Sequence, residues 1–354
     1  MAYTDIDKPS DNFSATLYTG NATARTIATG HQSDWVWLKR RDGTAGHRIA
    51  DSVRGATKLI YSDSNTSEQT DAKSITGFVS TGFTLGDDAN GYDVNTNTNT
   101  MVAWSWKAGT SFTNDASATG IGTIDSTGSV NQDAGFSVVS WVGNATAGAT
   151  IKHGLNTAPS MLILKKASAS GTDWFVYHKS IGANYYLGLN QTYEKQDQIL
   201  AWNDTAPTSS VFSVGSGGSS NGSGATMITY CFAEKQGYSK FGSYTGNGNA
   251  DGTFVYTGFK PAFFICKRYN DAGYDWLMYD NKRQVSFNVV DDFLKPNLAD
   301  AETTGNANQS LDFLSNGVKF RGNGASSNGS ASYIYMAFAE NPFVASNFNA
   351  ATAR

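Results

Sequence analysis

The sequence predicts an all-β protein made of three tandem antiparallel β-sandwich modules, jelly-roll-like and each about 100 residues long. Short apolar or alternating runs are separated by turns rich in Gly, Asn and Ser, and the chain holds 37 Gly but 6 Pro. Gly and Asn supply the backbone angles that hairpin turns need. Charged residues make up 16% of the chain, below the ~25% usual in soluble domains. An internal repeat is the third observation that favours this class.

A chain of 354 residues is long for one hydrophobic core, because cores stop growing near ~250 residues. We therefore expect two or three domains. The formal net charge is -4 and the Lys and Arg residues are scattered singly, which argues against a nucleic-acid partner. No run approaches the ~18 apolar residues of a membrane span, and the N-terminus lacks a signal-peptide pattern. We expect no membrane partner and synthesis in a cytoplasm.

Four landmarks recur in the same order along the chain, which is the signature of repeated structural units. The aromatic strands LYTGN, SWVGN and SYTGN begin at residues 17, 140 and 243 and end in a Gly-Asn turn. Buried strands closed by a lysine follow, with the sequences WVWLK, MLILK and FFICK. The runs HRIAD, WFVYH and WLMYD come next, and each copy ends on the strand MVAWSWKA, MITYCFAE or YIYMAFAE.

These landmarks divide the chain into six parts: an N-terminal arm at 1–12, repeat 1 at 13–107, a linker at 108–134, repeat 2 at 135–234, repeat 3 at 235–343 and a C-terminal tail at 344–354. The linker is predicted from its few apolar residues, and it would let the first repeat sit apart from the others. The short junction near residue 235 predicts a rigid pair of later repeats. Helical content is expected only near 191–201 and 291–300.

Seven motifs resemble one known family. They are DSVRGATK, GFTLG, VAWSWKAG, DAGFSVVSWVGN, HGLNTAPSMLILK, CFAEKQGYSKFGSYTGNG and IYMAFAENPF, and together they span nearly the whole chain. The family is a repeat domain of unknown function in virion proteins of marine tailed phages, including those that infect cyanobacteria. The resemblance implies a virion structural protein encoded near tail or tail-fibre genes, and it brings no catalytic residue. The opening and closing runs also resemble family termini, so we expect a complete chain.

The resemblance leaves the position on the phage particle open. One expectation is a tail-associated fibre or receptor-binding adhesin on the virion surface, assembled in the host cytoplasm. The alternative is a capsid decoration or cement protein on the head. A polysaccharide-degrading tailspike is a remote third reading, because a pair of acids leaves no local motif.

No pattern of catalytic or metal-ligating residues stands out, so we expect neither an enzyme nor a cofactor. The four histidines do not fall at metal spacing, and no phosphate loop or nucleophile elbow is present. Asp51, His178 and Asp280 occupy one equivalent position in the three copies. The main interpretation is a strand-end residue that bonds a neighbouring turn, and the alternative is a polar site. Cys231 and Cys266 lie in apolar strands, where buried free thiols are expected.

An aromatic platform for a sugar is predicted in the loop that contains Trp202. Tyr185, Tyr186 and Tyr193 lie nearby in sequence, and Asn190, Asn203 and Asp204 would supply hydrogen bonds to the ligand. Most other tryptophans fall in strand runs and are predicted to be core residues.

The N-terminal arm is predicted to dock onto a virion protein of the tail or capsid through Asp5, Asp7 and Pro9, because it lies outside the first repeat. Host-surface glycan is the second expected partner. A homotrimer is expected from the symmetry of tail machinery.

Overall fold

The computed structural model describes residues 3–284 and 288–345 and is built almost entirely from β-strands. Within these residues, 26 strands are joined by three α-helices of four residues each and by two short 3-10 helices. The predicted all-β class is confirmed. Residues 346–354 of the predicted tail lie outside the described residues. No helix in the described part of the chain is long and apolar enough to cross a membrane.

Three consecutive segments, residues 9–106, 110–232 and 239–342, provide the strands. The first segment holds a 3-10 helix at Pro9–Asp11 and then β1 Phe13–Thr19, β2 Arg25–Ala28, β3 Trp35–Arg40, β4 Arg48–Asp51, β5 Lys58–Leu59, β6 Gln69–Thr70, β7 Ile75–Val79, β8 Gly82–Leu85 and β9 Thr100–Trp106.

The second segment is the longest and carries the three α-helices. Its elements are β10 Thr110–Asn114, α1 Ala116–Thr119, β11 Ser126–Asn131, β12 Phe136–Val142, β13 Ala149–Lys152, β14 Met161–Lys166, β15 Phe175–His178, β16 Tyr185–Gly188, β17 Gln196–Asp197, α2 Ile199–Trp202, β18 Val211–Val214, α3 Gly218–Asn221 and β19 Thr226–Phe232.

The third segment contains the longest strands. Its elements are β20 Ser239–Thr245, β21 Phe254–Tyr256, β22 Phe259–Arg268, β23 Leu277–Asp280, a 3-10 helix at Ala307–Gln309, β24 Leu311–Leu314, β25 Gly317–Phe320 and β26 Ser332–Pro342.

The main sheets of the three segments share one strand order. The order is β1-β9-β3-β4 in the first segment, β12-β19-β14-β15 within an eight-stranded sheet in the second, and β20-β26-β22-β23 in the third. All strand pairs in these three sheets are antiparallel. A smaller sheet accompanies each main sheet: β2-β8-β7, β13-β18 and β21-β25-β24. These matching orders support our interpretation of the segments as copies of one unit.

Each main sheet buries both of its faces, because nearly every residue of its central strands is buried. In β19, Tyr230 and Phe232 point into a cluster shared by all three segments, whereas Cys231 points into a cluster of the second segment alone. The last strands of the other segments alternate in the same way, with Trp104 and Trp106 of β9 in the shared cluster. The protein therefore has one common core and a separate smaller core in each segment.

An approximate threefold axis runs through the common core. Trp106, Phe232 and Phe338 occupy the same position in β9, β19 and β26, and their rings touch one another. The ring centroids are 5.6 Å apart for Trp106 and Phe338, 6.1 Å for Phe232 and Phe338, and 6.4 Å for Trp106 and Phe232. All three contacts are edge-to-face. The first segment is thus packed against the other two, and the expectation that it sits apart is wrong.

The predicted linker at 108–134 is also wrong, because this stretch is folded. Its strands β10 and β11 form a hairpin that extends the main sheet of the second segment at the β12 edge. Helix α1 between them begins at Asp115, whose carboxylate accepts a hydrogen bond from the amide of Ala118, and ends at Gly120 with φ 66°. An edge hairpin needs few apolar residues, so its Ser- and Thr-rich composition resembled that of a linker.

The Gly-Asn turns are held by one buried asparagine in each segment. Asn221 accepts a hydrogen bond from the amide of Asn144 at 3.0 Å and donates one to the carbonyl of Thr146 at 3.1 Å. Asn95 and Asn328 hold the turns of the other two segments through equivalent bonds. A side chain on Gly143 would lie 2.3 Å from a backbone oxygen, so this position requires glycine.

Candidate functional site

The three equivalent strand-end residues, Asp51, His178 and Asp280, are buried and each contacts the next segment. The hydroxyl of Tyr230 donates to Asp51 Oδ2 at 2.8 Å, and the indole N–H of Trp104 donates to Asp280 Oδ2 at 2.9 Å. The Nε2 of His178 lies 3.1 Å from the carbonyl oxygen of Tyr335. The contacts run from segment 1 to 2, from 2 to 3 and from 3 to 1, so they form a closed ring.

Each of the two aspartates is neutralised by an arginine three residues later. Arg54 Nε donates to Asp51 Oδ2 at 2.7 Å, and Arg283 Nε donates to Asp280 Oδ2 at 2.6 Å. Burial alone would raise the pKa of the Asp280 carboxyl, but the charge and hydrogen bonds of Arg283 lower it. Backbone amides of the following turn bond the second oxygen of each carboxylate. Each carboxylate is therefore fully engaged in holding the fold.

His178 takes the aspartate position in the second segment without an arginine partner, because Ile181 stands where Arg54 and Arg283 stand. Its Nδ1 accepts a hydrogen bond from the amide of Ser180 at 3.2 Å, so Nε2 carries the proton toward the Tyr335 carbonyl. Burial lowers the pKa of His178 to about 4. The residue is a neutral structural group at neutral pH.

A second ring of contacts lies at the other end of the same strand runs. The indole N–H of Trp174 donates to the carbonyl of Tyr61 at 2.8 Å, and that of Trp276 donates to the carbonyl of Gly188 at 2.9 Å. His47 holds the equivalent position in the first segment, with Nε2 3.0 Å from the carbonyl of Lys295. These contacts again join each segment to the next one around the axis.

The three strand-closing lysines are also buried. The ammonium groups of Lys39, Lys165 and Lys267 donate to backbone carbonyls at 2.8, 2.5 and 2.7 Å. Burial lowers the pKa of each lysine to about 8. Lys39 and Lys267 also reach carbonyls of a neighbouring segment, at Ala299 and Thr192. Two of the three lysines therefore contribute to the contacts between segments.

None of these groups forms an accessible reaction centre. Within the described ranges, no three His, Cys, Asp or Glu residues lie close enough to hold a metal ion. Cys231 and Cys266 are buried free thiols, and burial raises the pKa of both. The buried polar groups described above are arranged to join the segments.

The structure does not assemble the predicted sugar platform. Trp202 is 1% exposed and packs edge-to-face on Tyr177 in the core of the second segment, so its ring cannot stack on a ligand. Tyr185 packs against the common core, whereas Tyr186 packs against the second segment's core and contacts Tyr193.

The polar members of that prediction lie in two places, the end of helix α2 and the turn after β16. Asn203 ends helix α2 with a φ of 53°, and Asp204 beside it is exposed. Asn190 instead accepts a hydrogen bond from the amide of Trp174 at 3.0 Å. Helix α2 turns Ala201 and Trp202 inward, which a loop prediction could not anticipate.

The N-terminal arm lies against the protein body. The Tyr3 hydroxyl donates to the carbonyl of Gly258 at 2.6 Å, and Ile6 belongs to the common core. Pro9 is buried and unavailable for docking, whereas Asp5 and Asp7 are exposed and line an open surface pocket of about 810 Å³. Removing the arm would therefore disturb the fold, contrary to the expectation of an independent docking segment.

An exposed aromatic pair was not predicted from the sequence. Phe254 and Tyr256 lie on β21, at the edge of the smaller sheet of the third segment, and are 43% and 53% exposed. A comparison of the repeats could have found them, since the equivalent strands β2 and β13 carry no aromatic residue.

Comparison with known families gives one match. The profile of a family described as Domain of unknown function (DUF7483) matches residues 8–342, which include all three segments. Neither the curated proteins nor the solved structures contain a match to this chain.

Proposed function

Because the chain belongs to the DUF7483 family, described as a domain of unknown function, we propose a function from its architecture. The protein is a non-enzymatic structural protein of a tailed-phage virion, placed on the tail as a fibre-associated, receptor-binding adhesin. The resemblance of its repeat motifs to virion proteins of marine tailed phages supports the virion assignment. The observation that carries the proposal is the threefold body built around Trp106, Phe232 and Phe338.

A threefold body suits attachment to symmetric tail machinery. A single chain places three similar sheets around one axis, which is the arrangement that a homotrimer would otherwise supply. One copy of 37.8 kDa can therefore occupy a threefold position. Light scattering after size-exclusion chromatography should give the mass of one chain. A mass three times larger would show instead that the protein is a homotrimer.

The buried groups support a structural role rather than catalysis. Asp51 and Asp280, the acids first considered for a polar site, are paired with arginines and hold the segments together. A core shared by all three segments couples their stability, as a structural protein would need. Asp5 and Asp7 remain exposed for contact with a neighbouring virion protein.

A capsid decoration protein is the second candidate. The same threefold body favours it, because capsid lattices also present threefold positions. This alternative needs no host ligand. It therefore differs from the adhesin in location and in sugar binding.

Immunogold labelling of intact particles tests the proposal. Gold at the tail tip or along the fibres is the expected result. Gold distributed over the head would replace the adhesin by the decoration protein, and particles without any label would overturn the virion assignment.

A further inference from the structure

The aromatic pair on β21 faces away from the core of its segment. Phe254 and Tyr256 alternate with Val255, which points into the core of the third segment, so both rings lie on the outer face. Residues two apart on a strand are separated by ~7 Å. The Phe254 ring lies beside Gly317, which has no side chain to cover it.

The other two segments show that the fold does not need aromatic residues there. Ile27, Ile151 and Val255 pair with the equivalent residues Phe83, Phe212 and Val318, which fixes the correspondence between the strands. The positions of Phe254 and Tyr256 are then held by Thr26 and Ala28 in the first segment. In the second segment they are held by Thr150 and Lys152. The exposed pair is therefore a property of the third segment alone.

A pocket lined by polar groups adjoins the pair. Tyr256 and Tyr3 line a surface pocket of about 300 Å³ together with Glu234, Gln236 and Lys240. Glu234 is paired with both Lys179 and Lys240 at 2.6 Å, and all three side chains remain partly exposed. A few polar groups beside an aromatic wall are typical of small-ligand sites.

We propose that this surface, formed by Phe254, Tyr256 and the adjoining pocket, binds a chain of neutral sugars. The C–H face of one sugar unit stacks on a ring, and its hydroxyl groups bond Glu234, Gln236 or Lys240. The inference rests on the proposed adhesin function and names its ligand class.

The charge balance around the aromatic pair and the small area of its rings favour a neutral sugar chain over an anionic ligand or a protein partner. The charged side chains beside β21 balance in ion pairs, with Lys319 bonded to Asp251 at 2.7 Å and Arg321 bonded to Asp312 at 2.5 Å. This balance does not favour an anionic ligand such as nucleic acid. Two exposed rings offer at most ~250 Å² each, well below the ~800 Å² per side of a stable protein interface. A sugar chain needs no larger apolar area.

The test is affinity electrophoresis of the full chain through gels that contain dextran, mannan or galactomannan, with alginate as the anionic comparison. An array of neutral and acidic glycans extends the same test. The variant Phe254→Thr with Tyr256→Ala introduces the residues of the first segment, so it should keep the fold. Thr150→Ala with Lys152→Ala is the matched control on the second segment.

We expect a neutral glycan to slow the parent protein in the gel and to bind it on the array. The aromatic variant should bind the same glycan about 30-fold more weakly, which is the effect of losing a binding hot spot. The control should bind like the parent. Equal binding by parent and aromatic variant, binding of acidic glycans alone, or no binding to any glycan would overturn the inference. Tail labelling without neutral-glycan binding would leave the proposed function standing. Gold label on the head together with neutral-glycan binding would refute the adhesin function but support the sugar site.

Discussion

Replacing Phe338 by alanine should weaken all three segments at once, because this ring lies on the threefold axis. Phe338 is 1% exposed, and its ring centroid lies 5.2 Å from Phe13, 5.6 Å from Trp106 and 6.1 Å from Phe232, which belong to the other two segments. Loss of a buried Phe side chain lowers the free energy of unfolding by ~3–5 kcal/mol. With an unfolding entropy of ~2.1 cal/mol/K per residue, the midpoint of thermal unfolding should fall by ~4–7 °C.

Thermal unfolding followed by circular dichroism and by tryptophan fluorescence measures this effect. The first segment, which does not carry the mutation, supplies four of the eight tryptophans: Trp35, Trp37, Trp104 and Trp106. Both signals should shift together in one transition. The exposed Phe254→Thr variant is the control and should keep the parent midpoint within ~1 °C. A fluorescence transition that stays at the parent midpoint would refute the common core.

Three further outcomes follow from the buried groups. Asp280→Ala should lower the free energy of unfolding by ~3–5 kcal/mol in urea titrations, because Arg283 loses its buried partner. The double variant Asp280→Leu with Arg283→Met removes both charges and should regain at least half of the lost free energy. His178 has a folded pKa of about 4 against ~6.5 when unfolded. Neutral His178 therefore contributes about 3 kcal/mol to the free energy of unfolding above pH 6.5, and this contribution is lost as the pH falls toward 4. In the variant His178→Gln, the urea midpoint should depend less on pH between these two values. Cys231 and Cys266 should resist thiol reagents at pH 8 until the protein unfolds, and labelling of the native protein would contradict their burial.

The sequence predicted the strands because their patterns are local. Turn residues and apolar runs sufficed to place the landmark strands, and repetition of the landmarks identified corresponding positions in the three segments. The sequence could not show that Trp104 and Tyr230 reach across to other segments, because their partners lie 176 and 179 residues away. The nearly continuous apolar runs marked both faces of these strands as buried, but such a run does not say which sheet covers each face.

The candidate site was harder to predict for the same reason. Trp202 was singled out because its surroundings read as a loop, whereas a four-residue helix turns it inward. Comparison of the repeats can mark Phe254 and Tyr256 as unusual residues, but the pairing of β21 with β25 is needed to show that their side chains point outward. Exposure at a sheet edge depends on tertiary packing rather than on local sequence.

Asp51, His178 and Asp280 differ because each contacts a different residue of the neighbouring segment. Trp104 and Tyr230 each donate a hydrogen bond, and each faces an aspartate balanced by an arginine. Met336 holds their position in β26 but has no N–H or O–H group to donate. An aspartate opposite it would be buried without that bond, and His178 instead donates to a backbone carbonyl. Because a neutral histidine needs no counter-charge, Ile181 can replace the arginine, so these substitutions are coupled through the contact between segments and not through a shared reaction site.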